Sequence, residues 1–221
     1  MSKQHEHEFE AQYGLPERLP ADEHILWQGA PAWRELARCA FHLDKLALYF
    51  GVILALRATV VVAEGGGPAT ALHAVAVLAP LFAIGLGLAA LLAWLTARTT
   101  AYTLTDKRVV MRIGIVLSVT YNLPLRCIAG ADLRPLQGGS GDISLALLPG
   151  TRIAYLQLWP HARPWRVKEP EPMLRCLPDA ERVAGLLAQQ WSRANQLPVQ
   201  PSVASATARL SPLQQPALAR Q

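Results

Sequence analysis

Few side chains in this sequence are spaced for chemistry. HEHE at residues 5–8 has the types to bind a metal, but it sits in an exposed, polar run that reads as a solvated segment. His73 is the type of residue that ligates a pigment magnesium, yet it stands at the start of an apolar run, where an interfacial histidine is the simpler reading. His161 lies in a proline-flanked segment with no nucleophile spaced nearby. Asp106, Asp132, Asp142, Glu169, Glu171, Asp179 and Glu181 fall in turns or at a helix start, and no acid/base pair can be named among them. Cys39, Cys127 and Cys176 are odd in number and form no C-x-x-C pair, which argues against a disulfide framework or a zinc site and for reduced packing residues. GGSGD at residues 138–142 lacks the Lys-Ser/Thr of a phosphate-cradling loop and reads as a hairpin turn. The expectation is a protein that is not an enzyme and carries no cofactor or metal.

The elements that position these residues are dominated by two apolar runs. Residues 46–63 form an 18-residue run with one charge, and residues 72–96 a 25-residue run with none. A helix rises about 1.5 Å per residue and a bilayer core of about 30 Å needs about 20 apolar residues, so both runs read as membrane helices, over 46–63 and 72–97. Between them EGGGPATA at 64–71, with three glycines and a proline, breaks the helix and reverses the chain. No signal peptide is expected ahead of the first run, since MSKQHEHEFE is acidic rather than basic. Lys3, Arg18, Arg34, Arg38 and Lys45 precede the first span, Arg98, Lys107, Arg108 and Arg112 follow the second, and the turn carries no Lys or Arg. The positive-inside rule then places both termini in the cytoplasm of a two-pass protein of the bacterial inner (cytoplasmic or intracytoplasmic) membrane.

Charge is unequally divided. Residues 1–45 carry five basic and eight acidic side chains, net −3, and residues 98–221 carry fifteen and seven, net +8. A basic domain beside a bilayer is drawn to anionic headgroups. Nucleic acid is not the expected partner, because neither a recognition-helix pattern nor an aromatic RNA-binding motif is present.

Three features of the spans bear on contacts. Arg57 is the one charge inside the first span; it either snorkels outward, towards Glu64, or pairs with a carboxylate on another membrane subunit. Ala79, Ala83 and Gly87 recur at four-residue spacing, as do Gly85, Ala89 and Ala93, which lets helices approach closely within the hairpin or with a partner. Pro80 is a candidate kink.

Outside the spans, residues 1–24 read as flexible. Residues 25–45 read as a short strand and a helix from about Trp33 that leads into the membrane. After Arg98 the apolar period changes to alternation. Tyr102 and Leu104 alternate with threonines, and TDKR at 105–108 is a polar turn. Val109, Met111 and Ile113, then Leu117, Val119, Tyr121 and Leu123, mark two further strands. More runs follow at 128–136, 143–148 and 153–159. This pattern predicts an antiparallel sheet or small barrel with one buried face over 98–194. WPHARPWRVKEPEPMLRCLP at 159–178 has five prolines and four Lys/Arg residues interleaved with tryptophan, an extended strap rather than a helix. It either packs along the barrel or offers Trp159, Arg163, Trp165, Arg166 and Lys168 to a partner or to headgroups. Asp179 caps a final helix over 179–194, with Val183, Leu186, Leu187 and Trp191 on one face, and 195–221 has the composition of a disordered tail.

AYTLTDKRVVMRIG at 101–114, directly after a membrane hairpin and with LPADEHILWQGAPAW at 19–33 before it, resembles the bacterial pleckstrin-homology-like membrane domain. The resemblance covers about 19–194 and implies an α+β membrane protein. Its parts are a two-helix transmembrane hairpin and a cytoplasmic PH-like antiparallel β-barrel or sandwich of seven strands, closed by a C-terminal helix. Residues 159–188, together with ILWQGAP, are similar to the photosynthetic-complex assembly protein family of purple bacteria. That resemblance implies a non-enzymatic factor whose partners are reaction-centre and core-antenna polypeptides, with a homodimer as one arrangement. It supplies no catalytic or ligand residues. The contact residues expected are thus Arg57, Gly85, Gly87, Trp159, Arg163, Trp165, Arg166 and Lys168, meeting protein or membrane lipid. A general membrane-tethered PH-like module that binds anionic lipid is the alternative.

Overall fold

Two long helices interrupt a β-sheet in this chain. In the computed structural model, which describes residues 14, 15, 17, 19–136, 139–150 and 153–195, strand β1 (Ile25–Gly29) precedes the helices and pairs antiparallel with strand β2 (Ala101–Thr105), which follows them. Strands β3 (Arg108–Ile113) and β4 (Val119–Pro124) complete a sheet of order β1-β2-β3-β4. Strands β5 (Ile128–Pro135), β6 (Gly141–Leu147) and β7 (Met173–Leu177) form a second antiparallel sheet. The seven strands thus divide into two sheets and do not close into a barrel.

Helix α1 (Trp33–Cys39) leads to helix α2 (Leu43–Ala63), and helix α3 (Pro68–Thr99) returns to β2. Both α2 and α3 are long and apolar enough to cross a membrane. Gly65 reverses the chain: its φ of +86° is open to glycine at little cost, and the amides of Glu64, Gly65 and Gly66 satisfy the last carbonyls of α2. Pro68 then opens α3 at a first-turn position, where its missing N–H costs nothing. The pair packs through Phe50 stacked on Phe82, centroids 4.5 Å apart, and α3 continues as helix through Pro80.

At its C-terminal end α3 leaves the helical pair and enters the folded domain. Ala93, Thr96 and Ala97 are buried, α1 packs on this stretch, and Leu36 and Ala97 share a small apolar cluster with Cys176 of β7. The main core lies between the two sheets and helix α5 (Ala180–Asn195), and includes Tyr102, Met111, Leu125, Ile143, Leu145, Leu177, Val183 and Leu187. Leu186 and Trp191 pack against it, and the Trp191 indole donates to the Ile128 carbonyl at 2.7 Å. Asp179 lies just outside the helix with φ of +56°, and its carbonyl accepts from the Val183 amide.

Several expectations are altered. Residues 153–159 are not a strand: they contain a short helix α4 (Tyr155–Leu158), since Tyr155 and Leu158, three apart, face the core while Leu156 is exposed. Leu117 belongs to a loop rather than a strand, because Gly114 takes φ of +121° and ends β3, and β4 starts only at Val119. The last part of the proline-rich strap, from Met173, is strand β7, a fully buried member of the second sheet. Strands β5 and β6 pair antiparallel on either side of GGSGD, and the Leu136 amide donates to the Ser140 carbonyl. HEHE at 5–8 and the tail from 196 lie outside the described residues.

Candidate functional site

The proline-rich strap begins beside the helical pair. Trp159 stands edge-on to Phe41, which lies just before α2, at 5.6 Å between centroids, and remains 55% exposed. From there the strap folds back on itself, with Ala162 bridged to Pro172 and the Arg163 amide on the Glu171 carbonyl. The basic side chains expected to act together divide into two sets. Arg163 donates to Glu171 at 2.9 Å and lies 3.5 Å from Asp132 on β5, and Arg166 reaches the other Glu171 oxygen at 3.4 Å. Glu171 is buried, so these two arginines neutralise a carboxylate that would otherwise be costly to bury. Trp165, at 95% exposed, Val167 and Lys168 form the outward edge of the strap. Between this edge and the end of β6 is a groove of about 750 Å³, lined by Leu147, Leu148, Ile153 and Tyr155 on one side and Arg166, Val167 and Lys168 on the other.

Behind the strap is a buried polar junction that the sequence pattern did not indicate. His161 shares one hydrogen bond with the Tyr102 hydroxyl (Nδ1, 2.6 Å) and one with the Thr100 hydroxyl (Nε2, 3.2 Å). Tyr102 accepts from the Arg175 amide, and the Arg175 guanidinium donates to the carbonyls of Pro160 and, at 3.5 Å, Cys39. Asp142 accepts from the Cys176 amide at 2.8 Å. Burial, with the positive charge of Arg175 adding to it, pushes the His161 imidazole down to about 3, so it is neutral at ordinary pH. Burial also raises the Tyr102 phenol and, together with Asp142, the Cys176 thiol. A neutral, enclosed histidine bonded at both ring nitrogens has no free lone pair or open side for substrate. Its geometry joins parts: Thr100 follows α3, Tyr102 is on β2, His161 is on the strap, and Arg175 ties β7 to the last residue of α1.

The residues singled out on the helices separate similarly. Gly85 faces α2, where an added Cβ would meet the Phe50 ring at 3.7 Å, and Ala93 of the same row is fully buried. Gly87 and Ala83 face outward, with open space beyond Gly87. Arg57 is exposed on α2 and among the described residues makes no ion pair, so the contact with Glu64 is not formed. His73 is exposed in α3. Among the described residues no group of three or more His, Cys, Asp or Glu side chains is placed to hold a metal.

Two further groups are not among the contact residues that the sequence pattern indicates. Asp22, Glu23 and His24, in the segment expected to be flexible, are bonded to the Thr105–Arg108 turn. The loop residues Ile115, Val116 and Leu117 are exposed. The second had a visible signal, an apolar triplet between Gly114 and Ser118 where a turn would ordinarily be polar.

Residues 49–191 match the family model described as a bacterial PH domain. The chain is 41% identical over 189 residues, 84% of its own length and 87% of the other's, to a Rhodobacter capsulatus protein described as an uncharacterized 23.7 kDa protein in the puhA 5′ region. No solved structure matches. With a family model spanning more than half of the chain and a relative similar along nearly its whole length, the chain belongs to the bacterial PH domain family.

Proposed function

We propose that this protein is a two-pass inner-membrane assembly factor for the photosynthetic reaction centre and its core antenna, which works by holding client polypeptides rather than by catalysis. The observation that carries the reading is the relative, whose name puts it 5′ of puhA, a reaction-centre gene. The molecule's surfaces support it. The outward small-residue row at Ala83 and Gly87 offers a close approach to a client helix, and Arg57 supplies a charge for a client carboxylate in the membrane. The exposed edge of Trp165, Val167 and Lys168 offers an aromatic and cationic anchor outside it. Both termini lie in the cytoplasm in this reading, supported by the Lys/Arg distribution and by the β1–β2 pairing, which brings the two inner ends of the helical pair together.

Deletion of the gene in a phototrophic host tests the proposal through near-infrared absorption. Reduced reaction-centre and core-antenna bands, restored by the wild-type gene, are expected; unchanged bands under phototrophic growth would sink it. Purification in mild detergent should bring down reaction-centre or antenna subunits.

A second reading, a PH-like module held against anionic lipid, is favoured by the net +8 of residues 98–221. It expects binding of the full chain to anionic vesicles through Lys168 that weakens steeply with salt.

A further inference from the structure

We propose that the loop between β3 and β4 is a membrane-seated wedge, with Val116 and Leu117 entering the boundary between lipid headgroups and acyl chains. The inference rests on the two-pass reading of α2 and α3.

Ile115, Val116 and Leu117 are consecutive apolar residues on a five-residue loop, and Val116 and Leu117 are 91% and 83% exposed. Water gains nothing from such an arrangement, and apolar side chains set together at a loop tip mark a contact surface. Gly114 makes the shape: its φ of +121° turns the chain sharply off β3, and the Leu117 backbone folds back against it so closely that no side chain fits there.

The strand register says which way the loop faces. Only Thr100 separates α3 from β2, Ala101 pairs with Arg112, and Ile113 pairs with Val119. The loop therefore leaves the end of the sheet into which α3 feeds, and α3 and β3 touch there. Heights agree with this. The exposed apolar residues of α3 run to Trp94, which lies beneath the Arg98 guanidinium at 5.2 Å, and Ala93, Thr96 and Ala97 are buried on the other side. An interfacial Trp–Arg pair of this kind marks where a helix leaves lipid. From Trp94 to Thr99 the helix climbs about 7.5 Å at about 1.5 Å per residue, and the two extended residues to Ala101 add about 6.6 Å, about 14 Å in all. Ile113 and the two residues to the loop tip reach back about 10 Å at about 3.3 Å per residue. The difference falls within the interfacial layer of about 5–7 Å on each side of a bilayer. The occupant is lipid rather than a client protein because the chain's own spans hold the loop at the bilayer surface whether or not a client is present.

The test places a spin label on the full chain, carrying C39A and C127A with the buried Cys176 retained, in vesicles of phosphatidylcholine and phosphatidylglycerol. Labels at V116C, at L156C on α4, and at L88C within α3 are compared for collision with oxygen and with a water-soluble nickel chelate. The V116C label is expected to collide several-fold less with nickel than the L156C label, and more with oxygen. A V116C label as wet as L156C, with L88C dry, overturns the proposal. So does shielding of V116C that occurs only in native membranes, since that assigns the loop to a protein partner. A wet L88C label removes the two-span reading and the wedge with it.

Discussion

Glu23 and Arg108, 85 residues apart, meet in a two-pronged pair, with the Arg108 Nε and Nη2 atoms 2.7 and 2.8 Å from the two carboxylate oxygens. The whole helical pair lies between them in sequence. Thr105 donates to the same carboxylate at 2.7 Å, and the His24 amide donates to Asp106 at 3.0 Å, so the Thr105–Arg108 turn is clasped by the segment before β1. The outer pair, Lys107 with Asp22, is solvent-exposed and adds little.

Removing the Glu23 carboxylate leaves Arg108 and Thr105 without it in a half-buried place. E23A should lower stability by about 3 kcal/mol, and the double variant E23A/R108A by less than the sum of the two single changes. Thermal unfolding of the four proteins of this cycle, in the same detergent, measures both quantities.

His161 makes stability depend on pH in a defined direction. Its pKa falls from 6.5 in the unfolded chain to about 3 in the fold, so below pH 6.5 the unfolded chain binds the extra proton. The stability conferred by the neutral form is complete above pH 6.5 and is lost as pH falls towards 3, with a limiting slope of about 1.4 kcal/mol per pH unit. H161Q should lower stability at pH 7.5 and flatten this slope between pH 6 and 4, read from unfolding midpoints across that range.

The strap should separate support from contact. R163A removes the nearer of the two arginines that pair the buried Glu171 and should cost about 2 kcal/mol, whereas W165A and K168A should stay within about 0.5 kcal/mol of the parent. The latter two should instead reduce the recovery of reaction-centre or antenna subunits in mild-detergent purification. Unfolding curves and co-purification yields, taken on the same preparations, decide the matter.

Gly85 and Gly87, two residues apart, should behave oppositely. G85L drives a side chain into the Phe50–Phe82 stack and should destabilise the helical pair by about 1–3 kcal/mol. G87L points into open space and should leave unfolding unchanged while weakening client association. Loss of stability in G87L, or none in G85L, would reverse the assignment of the two faces.

Much of the fold was readable because it is written in local period. The two apolar runs, the alternation through Tyr102 and Leu104 and then Val109, Met111 and Ile113, and the α5 face of Val183, Leu187 and Trp191 each follow from spacing within about fifteen residues. What was not readable depends on distant chain. Glu23 looks like any exposed acid until Arg108 and Thr105 arrive across the helices. Tyr155 and Leu158 have a spacing too brief to distinguish a turn of helix from a strand until the core claims both. Leu117 fits an alternating pattern that Gly114 has already broken. At the candidate site, the types at 163, 166 and 168 promised three equivalent cations, and only the burial of Glu171 distinguishes the two that are engaged from Lys168.

The pairing of β1 with β2 also imposes an order on biogenesis. On the ribosome Ile25–Gly29 is made first, but its partner Ala101–Thr105 is complete only about 80 residues later, roughly 4–16 s at ordinary elongation rates. During that interval β1 has no sheet to join, and by the time β2 emerges both apolar helices have already been synthesised. Closure of the Glu23–Arg108 clasp is therefore a late event, a latch that the nascent chain can fasten only after its hydrophobic middle has been delivered, so the finished domain reports that delivery is complete.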